Sequence, residues 1–211
     1  MAYSYPILLD LTGKLVVIVG GGAVALRKAQ GVLEAGASKI KCVAPHIVSQ
    51  MPGERIEAQF EPRHLDGAYL VFAATDSPQV NFDVVRAARE RKILVSRADD
   101  DDHGDFILPA NLRAGPVIVS VWTGSPTLSR SLRDDIQSIF NPLTTYAQMA
   151  ELMQKLRPWL LSSSLEAERQ HKALSDLAGK AGLDALKNGG GEGLYRWLVE
   201  KYPELKLEKA P

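Results

Sequence analysis

Short apolar runs alternate with amphipathic stretches through the first half of the chain, and a glycine-rich turn follows the first run. Helical periodicity dominates the second half. Together these features predict an α/β fold with a doubly wound parallel sheet, followed by a small middle segment and a helical C-terminal domain. Successive strands are expected to pair in parallel, because a crossover helix returns the chain to the same end of the sheet.

Five strands and two helices are expected in the first half. The run LVVIV at residues 15–19 is rich in β-branched residues and predicts a buried strand, and residues 23–35 predict a helix with Gly36 as its C-terminal glycine. The other predicted strands are residues 40–44, 56–60, 69–74 and a run that begins at residue 93, with the second helix at residues 80–91.

The middle of the chain predicts a hairpin and then a helix. Residues 106–108 and 117–122 are strand-like, with a turn at RAGP, residues 113–116, between them. Ser125 and Pro126 are the residue types typical of an N-cap and of the first helical position, so a helix is expected to begin there.

Helical patterns continue from about residue 143, and NGGGEG at residues 188–193 predicts a break before the last helix. These changes of pattern predict three parts: a first domain at residues 1–112, the middle segment at residues 113–142 and the helical domain at residues 143–211.

Composition narrows the class of protein. The chain has 211 residues and no formal net charge, whereas nucleic-acid and membrane-surface proteins are usually basic, so neither partner is expected. Cys42 is the only cysteine, which excludes an intrachain disulfide and a cysteine zinc cluster. The N-terminal stretch MAYSYPILLD has no basic region followed by an apolar core, so we expect no signal peptide. The uncharged run between Lys14 and Arg27 is too short to span a bilayer, and we expect a cytoplasmic location.

The glycine-rich turn matches the pattern G-x-G-x-x-G/A at Gly20, Gly22 and Ala25, between a predicted strand and a predicted helix. This context predicts a Rossmann-like dinucleotide site. Gly20 would permit the tight turn, and Gly22 would let the backbone approach a pyrophosphate. Ala23 and Val24 begin the helix, whose free N–H groups would face that anion. A glycine-rich bend without a ligand is the alternative.

The end of the second strand lacks the usual acidic residue for the ribose hydroxyls. Ala44, Pro45 and His46 occupy that place, so the local sequence does not decide between NAD and NADP. Pro45 and His46 are candidate cofactor contacts. His46 has the character of an ordinary loop histidine more than that of a catalytic one.

Six motifs occur together in a fixed order: GGGAVALRKA, LEAGA, VAP, VFAATDSPQVN, FILPA and TGSPTLSRSLRDDI. In this combination, over roughly residues 5–140, the chain resembles the precorrin-2 dehydrogenase family, the dehydrogenase and ferrochelatase module of siroheme synthase. The resemblance implies oxidation of precorrin-2 to sirohydrochlorin with NAD, in sirohaem biosynthesis. It also implies Fe²⁺ insertion in some members, a homodimer formed through the middle segment, and an active site between that segment and the nucleotide domain.

The resemblance also assigns a key aspartate seven residues before Phe106, at Asp99. Acidic residues 100–102 follow directly and leave the register open by a residue or more. Asp99 comes directly after the fifth strand, where α/β enzymes bind ligands. A carboxylate there could accept a proton and could guide Fe²⁺. Residues 100–102 are interpreted as a solvated loop.

Asp102, His103 and Asp105 are residue types that can bind a metal ion. Their spacing matches no dedicated calcium loop, so no structural metal is expected there, and transient iron is the alternative.

Two further parts of the chain supply candidate contacts, one for the nucleotide and one for the substrate. Thr75 and Asp76 follow the fourth strand, in a loop that the resemblance places against the nucleotide, although they could simply precede a helix. Ser125, Arg130 and Asn111 are candidate substrate contacts, with Ser125 equally interpretable as a helix cap.

Two other classes of function stay open. The first is an NAD-binding regulatory or sensor module, which would need the glycine turn but neither the acidic loop nor the helix that begins at Ser125. The second is a tetrapyrrole-metal chaperone without turnover, which the missing ribose acid and the irregular acidic loop keep open.

Overall fold

The computed structural model describes residues 5–99, 104–139 and 143–205. The chain divides into two compact units, Met1–Leu108 and Pro109–Pro211. The expected middle segment and helical domain both fall in the second unit, and the division between them stays a prediction.

The first unit contains a parallel five-stranded sheet in the order β3-β2-β1-β4-β5, which confirms the predicted Rossmann-like arrangement. The strands are β1 Leu15–Val19, β2 Lys39–Ala44, β3 Glu54–Glu57, β4 Leu70–Ala73 and β5 Leu94–Arg97. Because all five run in the same direction, the loops that follow β1, β2, β4 and β5 meet at one edge of the sheet. The chain changes direction across the sheet between β1 and β4, and such a switch point is where open α/β sheets bind ligands.

Helices cover both faces of this sheet. They are α1, Ala23–Glu34, and α2, Pro78–Glu90, and a 3₁₀ helix, Pro62–Leu65, lies between β3 and β4. Alternate strand residues face opposite sides. Ile18 therefore packs in one cluster with Ala25 and Ala29 of α1. Val17 packs in a second cluster with Val84 of α2.

The expected third strand, residues 56–60, is displaced. β3 pairs with β2 from Glu54 to Glu57, and the Ala58 N–H donates to the Ala44 carbonyl just past its end. Phe60 lies outside the ladder and packs against the cluster beneath α2. Hydrogen-bonded pairing with β2 therefore fixes where β3 begins and ends. The prediction had followed the apolar residues instead.

The second unit begins with an antiparallel hairpin and continues as helices. The elements are β6 Ala110–Ala114, β7 Val117–Val121, α3 Pro126–Ile139, α4 Leu143–Leu161, α5 Ala167–Ala178 and α6 Lys180–Lys201. The predicted hairpin is confirmed, but its first strand is not residues 106–108. Phe106 instead packs edge-on against Phe72 in the first unit, with ring centroids 5.5 Å apart.

A break interrupts α6 where the glycine run predicted one. Gly190 has a positive φ of 61°, a conformation that glycine adopts without steric cost. The helices close around a core that includes Leu160, Leu177, Leu194 and Leu198. Within the part of the chain that the structure describes, no helix is long and apolar enough to cross a membrane.

Candidate functional site

The turn between β1 and α1 requires glycine twice for reasons internal to the protein. Gly20 has a φ of 136°, and a Cβ there would overlap the Ala74 carbonyl after β4. A Cβ on Gly21 would overlap the carbonyl of His46 after β2. These two glycines therefore let three loops approach each other closely. Sequence analysis did not assign a role to Gly21.

Gly22 differs, because a Cβ there would meet nothing within 4 Å and its φ of −92° suits any residue. It is the N-cap of α1, and no side chain of the described residues caps the helix. The N–H groups of Ala23 and Val24, in the first turn, have no intrahelical acceptor. Open space beside free N–H groups at a helix N-terminus suits an anion such as a pyrophosphate. The residues present thus fit a dinucleotide.

Three hydrogen bonds connect the turn to β2 and to the loop that follows β2. The Gly20 N–H donates to the Val43 carbonyl at 2.9 Å, and the Val48 N–H donates to the Gly21 carbonyl at 3.0 Å. The buried Cys42 thiol donates to the Gly20 carbonyl at 3.0 Å. Burial raises the pKa of this thiol to about 11, so it stays protonated and can keep donating.

A cleft of about 670 Å³ lies on the side of the sheet covered by α2, and its lining reaches Val19 at the end of β1 but includes none of the predicted contacts Gly20, Gly22, Ala23 and Val24. Pro45, Thr75 and Asp76, three of the predicted cofactor contacts, line it. Phe60 and Val80 contribute apolar surface. Apolar walls with a few polar groups are typical of a small-molecule site, and a nucleoside has this mixed character. His46 does not line the cleft. The part of His46 that lies close to the turn, at Gly21, is its backbone carbonyl.

The loop after β4 is organised by Asn81, whose side chain is fully buried. Its Oδ1 accepts from the Thr75 N–H at 3.0 Å and from the Thr75 hydroxyl at 2.8 Å. Its Nδ2 donates to the Thr75 carbonyl at 3.1 Å and to Asp99 Oδ1 at 2.9 Å. Asn81 belongs to the motif VFAATDSPQVN, but its role was not predicted from the sequence. The signal was present: a buried position on α2 occupied by a polar residue.

Asp99 lies just beyond β5 and is held by Arg97 at both oxygens. Arg97 Nε is 2.8 Å from Oδ1, and Nη2 is 2.9 Å from Oδ2. The Arg97 hydrogen bond, with smaller help from Asn81, lowers the pKa of Asp99 against the opposing effect of burial. Asp99 is therefore an ionised carboxylate at neutral pH. Such a group can accept a proton or attract a cation.

Asp105 has a structural role. Its carboxylate accepts the Val95 N–H at 3.1 Å, and its own N–H donates to the Val95 carbonyl at 2.7 Å. Arg89 pairs with the same carboxylate at 3.4 Å. Asp105 thus attaches its loop to β5. Residues 100–102 and His103 lie outside the described residues, and the described ones contain no group of three or more metal-ligating side chains.

The candidate substrate contacts lie in the second unit. Ser125 Oγ accepts the Leu128 N–H at 3.4 Å, so Ser125 acts as a helix cap, the simpler of its two interpretations. Arg130 is exposed on α3, 3.5 Å from the Thr127 hydroxyl. Asn111 on β6 accepts a hydrogen bond from Ser120 across the hairpin at 2.8 Å.

Comparison with known proteins adds independent findings. Residues 7–110 match the family model described as "Putative NAD(P)-binding". Siroheme synthase of Photorhabdus laumondii is 38% identical over 155 residues, which cover 69% of this chain and 33% of that protein. Siroheme synthase of Pseudomonas aeruginosa is 36% identical over 161 residues, 72% of this chain and 34% of that protein. The matched stretch thus spans about a third of the length of these relatives.

A solved structure has the same fold. The structure titled "SirC, precorrin-2 dehydrogenase" superposes with a TM-score of 0.75 at 23% identity, covering 93% of this chain and all of that one.

Proposed function

Because this chain belongs to the precorrin-2 dehydrogenase family, we propose that it oxidises precorrin-2 to sirohydrochlorin, with NAD⁺ as the hydride acceptor, in sirohaem biosynthesis. One observation carries the proposal. The open helix N-terminus at Gly22 and the ionised carboxylate of Asp99 occur in one unit, and Asn81 connects Asp99 to the loop that lines the cleft. A binding module without turnover would need the first feature but not the second.

The residues that would hold the dinucleotide lie in the loops and the helix N-terminus that follow the strands. The N–H groups of Ala23 and Val24 would bind the pyrophosphate, with Gly22 leaving room for it. Thr75 and Asp76 offer polar groups to the nucleoside portions along the cleft. NAD⁺, when bound, supplies the hydride acceptor. His46 would contribute its backbone rather than its imidazole.

Asp99 would then handle the proton. Loss of a hydride from the macrocycle leaves a proton to be released, and Asp99 at the carboxyl end of β5 is ionised, which is the protonation state that a proton acceptor needs. Arg97 and Asn81 keep this carboxylate charged and oriented. The same negative charge would attract Fe²⁺ if the protein also inserts iron into sirohydrochlorin, where Fe²⁺ is a substrate.

The remaining parts of the proposal concern the second unit. Ser125, Arg130 and Asn111 would contact carboxylates of the tetrapyrrole, because a helix N-terminus, a guanidinium and an amide all donate hydrogen bonds to such groups. The protein would act as a homodimer formed through residues 113–142. Apolar side chains of this segment are exposed in the single chain: Ile118, Trp122, Leu128, Leu132 and Ile139.

The test is an anaerobic assay with precorrin-2 made in situ and NAD⁺. The appearance of NADH and of the sirohydrochlorin spectrum is expected, and Asp99→Ala should lose both while still binding NAD⁺. A folded wild-type protein that binds NAD⁺ without turnover would contradict the proposal and favour a sensor or chaperone. Adding Fe²⁺ to the product and following its spectrum separates iron insertion from oxidation.

A further inference from the structure

Two strand-to-helix turns in this chain share one sequence pattern. The first is TDSPQVN at residues 75–81, which leads from β4 into α2, and the second is TGSPTLS at residues 123–129, which leads from β7 into α3. Threonine, serine and proline recur at the same spacing, and a polar residue ends each pattern. That residue is Asn81 in the first turn and Ser129 in the second.

The two turns also share their hydrogen bonds. In the first, the Thr75 N–H and hydroxyl lie 3.0 and 2.8 Å from Asn81 Oδ1, and Ser77 caps the helix. In the second, the Thr123 N–H and hydroxyl each lie 3.0 Å from Ser129 Oγ, and Ser125 caps the helix. The terminal polar residue thus plays the same part in both.

One feature of the first turn has no counterpart in the second. Asn81 carries two further donors, which reach the Thr75 carbonyl at 3.1 Å and Asp99 Oδ1 at 2.9 Å. Ser129 has a single hydroxyl and is 1% exposed, so a buried serine is sufficient to build this kind of turn. The amide of Asn81 therefore exceeds what the turn requires.

The two extra donors of the Asn81 amide are buried, and both have acceptors. Asn81 is 0% exposed, and a buried amide is costly unless each donor and acceptor is satisfied. Its nitrogen donates twice, and its oxygen accepts the Thr75 N–H. The oxygen also lies 2.8 Å from the Thr75 hydroxyl, whose one proton is shared with the Ser77 carbonyl at 3.1 Å. One of the bonds from the nitrogen crosses from α2 to the carboxylate beyond β5. It connects the loop that lines the cleft with the proposed proton acceptor.

We propose that Asn81 is a positioning residue that fixes the Asp99 carboxylate relative to the Thr75 loop, beyond its role in building the turn. This inference rests on the proposed function, because it concerns the same carboxylate. Arg97 holds both oxygens of the Asp99 carboxylate, and Asn81 holds Oδ1. The amide reaches Asp99 from a different element than Arg97 does, so the two contacts together fix the carboxylate against both α2 and β5.

The second turn supplies a matched variant. Asn81→Ser gives the first turn the residue that the second turn already uses, so the contacts of the Thr75 N–H and hydroxyl can persist. The two bonds from the amide nitrogen, to the Thr75 carbonyl and to Asp99, are lost. A hydrogen bond to a charged group is strong, so kcat is expected to fall about tenfold or more. The dissociation constant for NAD⁺, measured by calorimetry, and the melting temperature should stay close to those of the wild type. Thr75→Val, which disrupts the turn itself, should instead weaken NAD⁺ binding.

A readout without cofactor tests the contact directly. In the ¹H–¹⁵N NMR spectrum, the Asn81 side-chain amide pair is identified by its loss in Asn81→Ser. In Asp99→Ala, one proton of that pair should shift and exchange faster with solvent, while the Thr75 backbone amide keeps its position.

The outcomes separate the two proposals. An Asn81→Ser enzyme with wild-type kcat would overturn the positioning role, as would a parallel loss of NAD⁺ affinity and kcat, which would indicate a purely structural turn. An unshifted Asn81 amide in Asp99→Ala would overturn it as well. Full activity in Asp99→Ala, or no turnover by the wild type, would instead contradict the proposed function, and the NMR result would still decide whether Asn81 holds Asp99.

Discussion

Arg97 binds Asp99 through two parallel hydrogen bonds, with Nε 2.8 Å from Oδ1 and Nη2 2.9 Å from Oδ2. The arginine side chain is 11% exposed and the aspartate side chain 32% exposed, so solvent screens the pair only in part. This geometry lowers the pKa of Asp99, the carboxylate that we propose as the proton acceptor.

The first prediction is that Arg97→Leu moves the acid limb of the pH–activity profile to higher pH. In the wild type the lowered pKa keeps Asp99 ionised as the pH falls. Without the guanidinium the pKa rises towards its ordinary value, and the carboxylate becomes protonated sooner. Among the described residues, the groups that contact Asp99 are Arg97 from β5 and the neutral Asn81 from α2. The measurement is kcat/KM as a function of pH.

Arg91→Leu is the control for this prediction, because Arg91 pairs with Asp66 in the same unit but does not contact Asp99. It should leave the acid limb in place. An unchanged limb in Arg97→Leu would show that Asp99 does not control activity through its ionisation.

The second prediction separates the glycines of the turn. Gly22→Ala should keep the wild-type melting temperature, since its Cβ meets no protein atom within 4 Å, but should weaken NAD⁺ binding about tenfold or more by occupying the space for the pyrophosphate. Gly21→Ala should destabilise the fold by about 1–3 kcal/mol, because its Cβ overlaps the His46 carbonyl. Thermal unfolding and NAD⁺ calorimetry measure the two effects. Wild-type NAD⁺ affinity in Gly22→Ala would refute the assignment of this turn.

The third prediction concerns the thiol of Cys42. Its pKa of about 11 and its full burial predict that the folded protein resists a thiol-specific reagent at pH 8, whereas protein unfolded in urea reacts completely. Since the pKa is raised from 9.0 on folding, the associated stabilisation is present below pH 9.0 and is lost as the pH rises through about 11. Rapid stoichiometric labelling of the folded chain would be inconsistent with this picture.

The fourth prediction tests the homodimer. Leu128, Leu132 and Ile139 lie on one face of α3, at i, i+4 and i+11, and are 55%, 40% and 75% exposed in the single chain. Light scattering should show a dimer for the wild type. Leu132→Asp should dissociate it, because the substitution places a charge on this apolar face of α3. Leu161→Asp, at an exposed position on α4, is the control and should leave the dimer intact. A monomeric wild type at micromolar concentration would contradict the proposal.

Much of the fold could be predicted because the relevant signals are local. The β-branched run of β1, the glycines after it and the apolar pattern of α1 lie within twenty consecutive residues, and each acts on its own neighbourhood. The two strands that were predicted at the wrong residues depend on signals outside their own residues. Phe60 and Phe106 are apolar residues that pack outside any strand, and pairing with β2 and with β7 sets the bounds of β3 and β6.

The candidate site divides in the same way. Gly20, Gly22, Pro45, Thr75, Asp76 and Asp99 are predicted as site residues from motifs and from their place after strands. The roles of Gly21 and Cys42 are not, because the close approach of Gly21 to His46 and the bond from Cys42 to Gly20 depend on chain segments that fold together. The role of Asn81 was missed for the same reason, since its partner Asp99 is 18 residues away.

The sequence by itself thus determined the class of fold, the dinucleotide turn and the family, since periodicity, glycine spacing and motif order are properties of the linear chain. Only the tertiary structure decided which glycines the close approach of other loops requires and which one has open space beside it. It alone connected Asp99 to Arg97 and Asn81. The physical reason is that hydrogen bonds and steric overlap act over a few ångströms in space, and a parallel sheet brings the ends of β1, β4 and β5 within that range only once the chain has folded.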